Sequence, residues 1–187
     1  TNVEHGAPRV FLAAVGPKMT EVAGEVADGI IVHAFTTEKY LRETTLPALE
    51  RGFAKAGKRR EGFEISYPMF VVTGNTEEDL AEAKQATRQQ IAFYGSTPAY
   101  KPVLDSVGAG DLQPELNVMS KQGRWQEMAE LITPDLLNEF AVIGEPQTLP
   151  EQIIQRYGDV VDRTSAAYAH IGKADRANII ELSLIHI

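Results

Sequence analysis

Two short, almost entirely apolar runs lie close together near the start of the chain, at residues 10–15 and 30–35. Continuous apolar runs of this length are typical of parallel strands that are buried on both faces. Between these runs, five apolar residues recur at helical spacing: Met19, Val22, Ala23, Val26 and Ala27. Glu21 and Glu25 fall on another side of the same helix. A strand, an amphipathic helix and a second strand in this order predict a βαβ unit.

The alternation of strands and helices continues along the chain. Thr36 and Thr37 can cap a long helix from Glu38 to about Ala56, in which Pro47 should bend or divide the helix. Residues 64–73 predict a third strand. Residues 75–79 predict the acidic, capped start of a third helix that runs to about residue 94.

The regular rhythm stops after this third helix. Residues 95–132 contain turn signals between short amphipathic stretches, in which Trp125 and Met128 have helical spacing and are interpreted as core; the whole region predicts a helical insertion. A fourth strand at 140–144, a fourth helix at 148–157 and a strand-like piece at 164–171 follow. We therefore predict an α/β fold, a partial (β/α)8 TIM barrel of about four strand-helix units with a helical insertion before the last strand.

The ends of the chain suggest a piece of a longer protein. A complete (β/α)8 barrel takes about 250 residues, whereas this chain has 187 and opens on Thr1. We expect residues 1–181 to form the C-terminal half of such a barrel. The apolar tail at 182–187 carries neither a cap nor a turn signal, and we expect it to be non-native.

Composition narrows the class of ligand. A net charge of -8 disfavours nucleic acid and anionic membranes, and no apolar run approaches the roughly 18 residues of a membrane span. Without cysteine the chain has no disulfide, thiolate metal site or cysteine nucleophile, and its four histidines show no spacing typical of metal ligands. We expect a cytoplasmic protein whose partners are a small-molecule cofactor and substrate, with no metal.

The turn at residues 16–19 is the first candidate site. Gly16-Pro17-Lys18-Met19 joins the first strand to its helix, where backbone N–H groups and the helix dipole favour a phosphate. Gly16 would let the backbone approach an oxygen closely, and Lys18 could add a charge-assisted bond. On spacing alone the same four residues are also ordinary turn chemistry.

Other candidates lie at the end of the second strand and after the third helix. His33 stands at the edge where barrel active sites are built, so it either faces a ligand or is a hydrogen-bonded residue at a strand end. Four polar residues of the insertion either contact substrate or cofactor, or serve turn packing and capping: Tyr94, Ser96, Thr97 and Tyr100.

Residues 10–32 resemble the fifth-strand region of the bacterial luciferase-like superfamily, especially its coenzyme F-420 branch, which includes methylenetetrahydromethanopterin reductases. The similarity is most specific at Gly16-Pro17-Lys18-Met19 and at Ala27-Asp28-Gly29, and looser at 33–37, 91–100 and 140–146. It implies a phosphate of the cofactor held by backbone amides of the 16–19 turn. The cofactor-binding residues implied are Val15, Gly16, Pro17, Lys18, Met19 and His33.

The resemblance implies an oxidoreductase that passes a hydride between coenzyme F-420 and an organic substrate, with catalytic residues unknown. Two alternatives stay open: an FMN-dependent monooxygenase of the same superfamily, and a non-catalytic half-barrel that binds a phosphate-bearing ligand or forms a homodimer through its open sheet edge. Relatives usually have about four more strand-helix units upstream, which implies that this chain alone is inactive.

Overall fold

A computed structural model describes residues 6–167, in which five strands form one parallel sheet. The strands are β1 (Phe11–Ala14), β2 (Gly29–Val32), β3 (Glu64–Val72), β4 (Ala141–Ile143) and β5 (Arg163–Ala167). They are ordered β1-β2-β3-β4, and β5 also pairs with β3. Because every pair is parallel, all carboxyl ends of the strands lie along one edge of the sheet.

Helices alternate with these strands, as in a (β/α)8 barrel. They are α1 (Pro17–Val26), α2 (Glu38–Tyr40), α3 (Leu46–Ala56), α4 (Glu77–Gly95), α5 (Lys101–Ser106), α6 (Leu112–Lys121), α7 (Trp125–Glu130), α8 (Pro134–Phe140) and α9 (Leu149–Tyr157). The predicted α/β class with a parallel sheet is confirmed. Between α4 and β4 the chain forms the short helices α5 to α8, joined by turns, and a 3-10 turn at Pro98–Tyr100 opens this region.

Several predicted boundaries shift by a few residues. The second strand ends at Val32 instead of residue 35, because the chain turns there and the Phe35 N–H donates to His33 Nδ1. The strand-like piece expected at 164–171 begins at Arg163 and is described as far as Ala167. Residues 168–171 and the tail at 182–187 lie outside the described residues.

Pro47 neither divides the predicted long helix nor ends it. It sits at the start of α3, directly after a π-helical turn at Leu41–Thr45, in which the Leu46 N–H donates to the Leu41 carbonyl. Proline has no N–H and its ring crowds the preceding turn. The wider π turn accommodates the ring, and the helical run continues to Gly57, whose left-handed conformation (φ 63°) ends it.

Most buried apolar residues of the described chain form two clusters. The first lies between the sheet and its covering helices and includes Ile30, Leu49, Tyr67 and Tyr157. The second gathers residues from the carboxyl ends of the strands and from the insertion helices: Phe35, Phe70, Ile91, Leu116 and Phe140. The insertion therefore packs over the carboxyl edge of the sheet, and its residues reach the region where a barrel active site lies.

The apolar stripe of α1 is only partly buried. Ala23 and Ala27 lie in the core, but Met19, Val22 and Val26 are exposed by 52%, 39% and 63%. The interpretation of Trp125 as core is wrong, since this side chain is 48% exposed, whereas Met128 is buried. Helical spacing marks an apolar face, but does not show whether the rest of the described chain covers it.

Candidate functional site

The first turn of α1 lies at the carboxyl edge of the sheet, and its backbone N–H groups have no partners within the helix. Gly16 is the N-cap, with an extended backbone (φ −84°, ψ 156°) and no side chain to cap the helix. The Thr20 N–H and Oγ1–H both donate to the Gly16 carbonyl, each at 3.0 Å, which fixes the turn. The N–H groups at the start of a helix point outward, so those of this turn face the exposed surface at Gly16, Lys18 and Met19.

The other helices that begin at this edge already carry compensating groups. Thr37 caps α2 and Thr76 caps α4, each followed by acidic residues, and α9 has Glu151 in its first turn. The first turn of α1 contains neither a side-chain cap nor an acid. A Cβ atom added at Gly16 would meet nothing within 4 Å. The start of α1 is therefore an open, electropositive cradle suited to an anion.

A small cleft, with a cavity volume of about 10 Å³, lies beside this cradle, between the ends of β1 and β2. Val15 and His33 line it together, which brings two of the sequence-predicted residues to one place. Ala14 and Val32 also line it, and the rest of the wall follows the second strand: Phe35, Thr36, Tyr40, Thr45 and Val103. The buried Tyr40 has a pKa raised by its burial, so its hydroxyl stays protonated.

His33 is held in a defined tautomer. Its Nδ1 accepts the Phe35 N–H at 3.0 Å, so the proton of the neutral ring sits on Nε2. Nε2 lies 3.4 Å from Tyr100 Oη, and the two rings stack with centroids 5.0 Å apart. Burial lowers the pKa of His33, which favours the neutral ring. His33 can then donate to Tyr100, which leaves the Tyr100 O–H available as a donor.

Tyr94 and Tyr100 join His33 in one aromatic cluster. The Tyr94 ring meets His33 edge-on with centroids 4.8 Å apart, and it meets Tyr100 at 6.0 Å. Burial, and secondarily Tyr94, raises the pKa of Tyr100. The hydroxyl of Tyr100 therefore remains a hydrogen-bond donor at neutral pH.

Ser96 and Thr97 are not part of this cluster. The buried Ser96 donates its hydroxyl to the Phe93 carbonyl at 2.7 Å, and its own carbonyl accepts from Gln113 and Asn117. Thr97 is exposed and precedes the 3-10 turn. The contacts of Ser96 are those of a helix end, the alternative that the sequence had left open.

Sequence reasoning missed several aromatic residues that the fold brings to the same region. Phe35 contacts both Tyr94 and Tyr100, and Phe93 contacts Tyr94 and Trp125. The signal available was the density of aromatic residues in 91–100, but their grouping with Trp125 depends on how α4 and α7 pack. Lys101 pairs with Asp105, and Arg124 with Glu127, so both cations beside this cluster are matched.

Within residues 6–167 the structure contains neither a metal-binding cluster nor a membrane-spanning helix. Over that range, His, Asp and Glu side chains do not gather into a group that could hold a metal ion. The helices of the same range are too short or too polar to cross a membrane.

Comparison with known proteins places this geometry in context. A family model described as luciferase-like monooxygenase matches residues 1–163. An uncharacterised protein of Mycobacterium tuberculosis is 51% identical over 156 residues, which cover 83% of this chain and 46% of that relative. The 5,10-methylenetetrahydromethanopterin reductase of Archaeoglobus fulgidus is 29% identical over 156 residues, which cover 79% of this chain and 44% of that enzyme.

The fold also matches that of a solved enzyme. The coenzyme F-420-dependent tetrahydromethanopterin reductase of Methanopyrus kandleri superimposes with a TM-score of 0.73 at 23% identity, over 93% of this chain and 48% of that one. The chain thus spans about half the length of the curated relatives it matches, at 46% and 44%. This agreement confirms the predicted TIM-barrel architecture.

Proposed function

The chain belongs to the luciferase-like monooxygenase family, and from this premise we propose that the whole protein is a coenzyme F-420-dependent oxidoreductase acting on an organic substrate. The observation that carries the proposal is the uncapped start of α1 at Gly16, directly beside the cleft that Val15 and His33 line. A phosphate-bearing cofactor needs an anion-binding turn and an adjoining surface for its ring. The uncapped turn at Gly16 supports the first, and Val15 and His33 would form one edge of the second.

The residues at the start of α1 fit a phosphate. The N–H groups of Lys18 and Met19 would donate to its oxygens, and the open space at Gly16 lets an oxygen come close to the backbone. The exposed Lys18 side chain would add a weaker, solvent-screened attraction. Met19 and Pro17 shape the turn, whereas Val15 and His33 form the wall next to the ring.

When bound and reduced, coenzyme F-420 supplies a hydride, and the substrate takes up that hydride and one proton while the cofactor is left oxidised. The chain's own contribution is to bind, orient and exclude water. His33 presents a neutral face and donates to Tyr100, and the Tyr100 hydroxyl can hold a polar atom of the substrate. The apolar wall at Val15 and Phe35 keeps water from this side of the cleft.

Cofactor titration of the purified chain tests the proposal. Gly16→Val should weaken F-420 binding at least tenfold, because the side chain fills the open cradle without a clash in the protein itself. Lys18→Ala should weaken it about two- to fivefold, as expected for an exposed charge, and Lys58→Ala at the end of α3 serves as the control. Fluorescence of the cofactor reports binding. No binding by the unsubstituted chain, or equal affinities for all variants, would contradict the site.

The same titration with FMN tests the alternative within the family. The family description itself names monooxygenases, and the cradle at Gly16 would suit the phosphate of either cofactor. Tighter binding of FMN than of F-420 would favour the hypothesis of an FMN-dependent monooxygenase. A phosphate ester that binds equally well without any ring would favour a non-catalytic phosphate-binding domain.

We further propose that these 187 residues alone bind the cofactor without turning over a substrate. The chain covers less than half of its relatives, and a hydride-transfer site needs walls on both sides of the ring to exclude water. The expected result is saturable binding of F-420 with no cofactor-dependent reduction of added carbonyl compounds. Reduction by the chain alone would show this proposal to be wrong.

A further inference from the structure

A chain of aromatic rings runs from the cleft at His33 outward to the surface of the insertion. His33 contacts Tyr94 and Tyr100, Tyr94 contacts Phe93 at 5.5 Å, and Phe93 contacts Trp125 at 6.0 Å. The inner rings are half-buried, while Phe93 and Trp125 are 52% and 48% exposed. We call these five residues the aromatic wall.

The inner end of the wall rests on a rigid base. Phe35 is fully buried, stacks on Phe140 with centroids 4.5 Å apart, and contacts both Tyr94 and Tyr100. The outer end is different, since Phe93 and Trp125 keep about half of their surfaces in water although they lie against each other. Two large neighbouring aromatic side chains that are both about half exposed are typical of a binding surface.

The charges around the wall indicate what it would bind. Lys101 and Arg124, next in sequence to the wall, are each paired with a carboxylate of their own helix. His33 is shifted toward its neutral form. These three side chains therefore offer no unpaired positive charge to an anionic substrate. Among the polar atoms of the wall, the Tyr100 hydroxyl accepts from His33 Nε2 and can donate to a carbonyl oxygen, whereas the Tyr94 hydroxyl accepts from Gln90 Nε2 at 3.3 Å.

We propose that the aromatic wall is the substrate side of the site and that it selects uncharged, planar, conjugated carbonyl compounds. The ring of such a substrate would pack on Phe93, Tyr94 and Trp125, and its carbonyl oxygen would accept from Tyr100. That the bound compound is a substrate rests on the proposed function, whereas the binding surface itself is inferred from the geometry of the aromatic wall. A phosphorylated sugar has no conjugated ring to pack on the wall, and the neighbouring cations Lys101 and Arg124 already pair with carboxylates.

Trp125 is the chain's one tryptophan, so its fluorescence reports on the outer end of the wall. Coumarin, an uncharged planar conjugated carbonyl compound, should quench Trp125 saturably, and glucose 6-phosphate should not. Phe93→Ala should weaken coumarin binding about three- to tenfold through lost ring packing. Tyr100→Phe keeps the ring and removes the donor, and should weaken binding about threefold or more.

Ile154→Ala is the matched control, because Ile154 is an equally exposed apolar residue on α9, 50% accessible, and is not in the wall. Linear, non-saturable quenching of the unsubstituted chain, or the same loss in the control as in Phe93→Ala, would overturn the proposal. So would saturable binding of glucose 6-phosphate reported by Trp125. Circular dichroism of each variant confirms that the fold is retained.

Titration with F-420, followed by the cofactor's own fluorescence, separates this inference from the proposed function. Cofactor binding without saturable coumarin binding would overturn the aromatic wall as a substrate site and leave the proposed function standing. Saturable coumarin binding without cofactor binding would support the wall and contradict the proposed function. Binding of both, with Gly16→Val affecting F-420 and Phe93→Ala affecting coumarin, would support both.

Discussion

His33 shows how a single residue acquires its role from the turn around it. The sequence placed it at the end of a strand, where it was either a ligand contact or a hydrogen-bonded structural residue. In the structure it is both hydrogen-bonded, through Nδ1 to the Phe35 N–H, and part of the cleft wall. The sequence could not show this, because the bond depends on the chain turning after Val32.

Protonation of His33 should destabilise the folded chain. Burial lowers its folded pKa below the ordinary 6.5, so the unfolded state binds the proton more readily. The stability that the neutral ring contributes is present above about pH 6.5 and is lost as the pH falls through the folded pKa. Protonated Nδ1 could no longer accept the Phe35 N–H.

His33→Asn provides the comparison, because the asparagine amide oxygen can accept the same N–H and does not titrate. Denaturant unfolding at several pH values should show the unsubstituted chain losing stability relative to His33→Asn below about pH 6.5. Parallel pH profiles for the two proteins would indicate that His33 is not shifted in this direction.

At the scale of elements, Gly24 of α1 and Gly52 of α3 allow these two helices to pack closely. An added Cβ at Gly52 would lie 2.1 Å from the Glu21 carbonyl oxygen, and one at Gly24 would lie 2.6 Å from that of Leu49. The two helices therefore cross with their backbones almost in contact. The side of α1 that carries Gly24 therefore packs against α3, and Val22 and Val26 remain exposed to solvent.

Gly52→Ala should destabilise the chain, although alanine is the better helix former. Helix propensity alone would stabilise the variant by about 1 kcal/mol, whereas the clash with a backbone oxygen should cost about 1–3 kcal/mol more than this gain. Ala54→Gly, at an exposed position of the same helix, measures the propensity effect by itself. Chemical denaturation measures the free energy of unfolding of each variant. A Gly52→Ala variant more stable than the unsubstituted chain would show that the two helices do not approach this closely.

Arg156 fastens the end of α8 to the sheet. It donates to the backbone carbonyls of Asn138, Glu139 and Ala141 at 2.9–3.2 Å, and to Glu38 at 3.1 Å. Four hydrogen bonds from one half-buried side chain hold the short strand β4 beside α2. The sequence predicted this strand at 140–144, and the structure places it at Ala141–Ile143. The contacts of Arg156 were not evident from the sequence, because they depend on how α8 and α9 pack against the sheet.

Removing the guanidinium of Arg156 should therefore be costly. Arg156→Met keeps most of the side-chain volume, leaves the carbonyl groups without their donor, and should lower the free energy of unfolding by about 2–4 kcal/mol. Arg51→Met is the matched control, since Arg51 is 54% exposed and pairs with Glu21, and should cost less than about 1 kcal/mol. Equal losses in thermal or denaturant unfolding would argue against this role for Arg156.

For the molecule as a whole, the sequence predicted the fold more fully than the site. The residues at 10–15, 30–35 and 64–73 predicted the first three strands along the chain, because a strand buried on both faces is a nearly continuous apolar run. The turn at Gly16 was predicted from its place between a strand and a helix, and the structure has it there; its binding of a phosphate stays a prediction. The aromatic wall did not follow, since Tyr100 and Trp125 reach it only through the packing of the insertion helices.

The exposed face of α1 leads to a prediction for the isolated chain. Met19, Val22 and Val26 lie on one side of this helix and are open to solvent, and the relatives are about twice as long as the matched region. In the whole protein further chain could cover this face. By itself, the 187-residue chain should cover it with a second copy, because contiguous exposed apolar surface favours association.

Sedimentation of the isolated chain at concentrations up to about 100 μM should then show species larger than the 20.5 kDa monomer. Replacing Val22 and Val26 together by lysine should weaken this association about a hundredfold, since two valines contribute roughly 3 kcal/mol when buried. Ile154→Lys introduces one charge at an exposed apolar position of α9 and should leave association unchanged. A chain that stays monomeric throughout, or a control that dissociates as readily as the double variant, would show that α1 is not the contact surface.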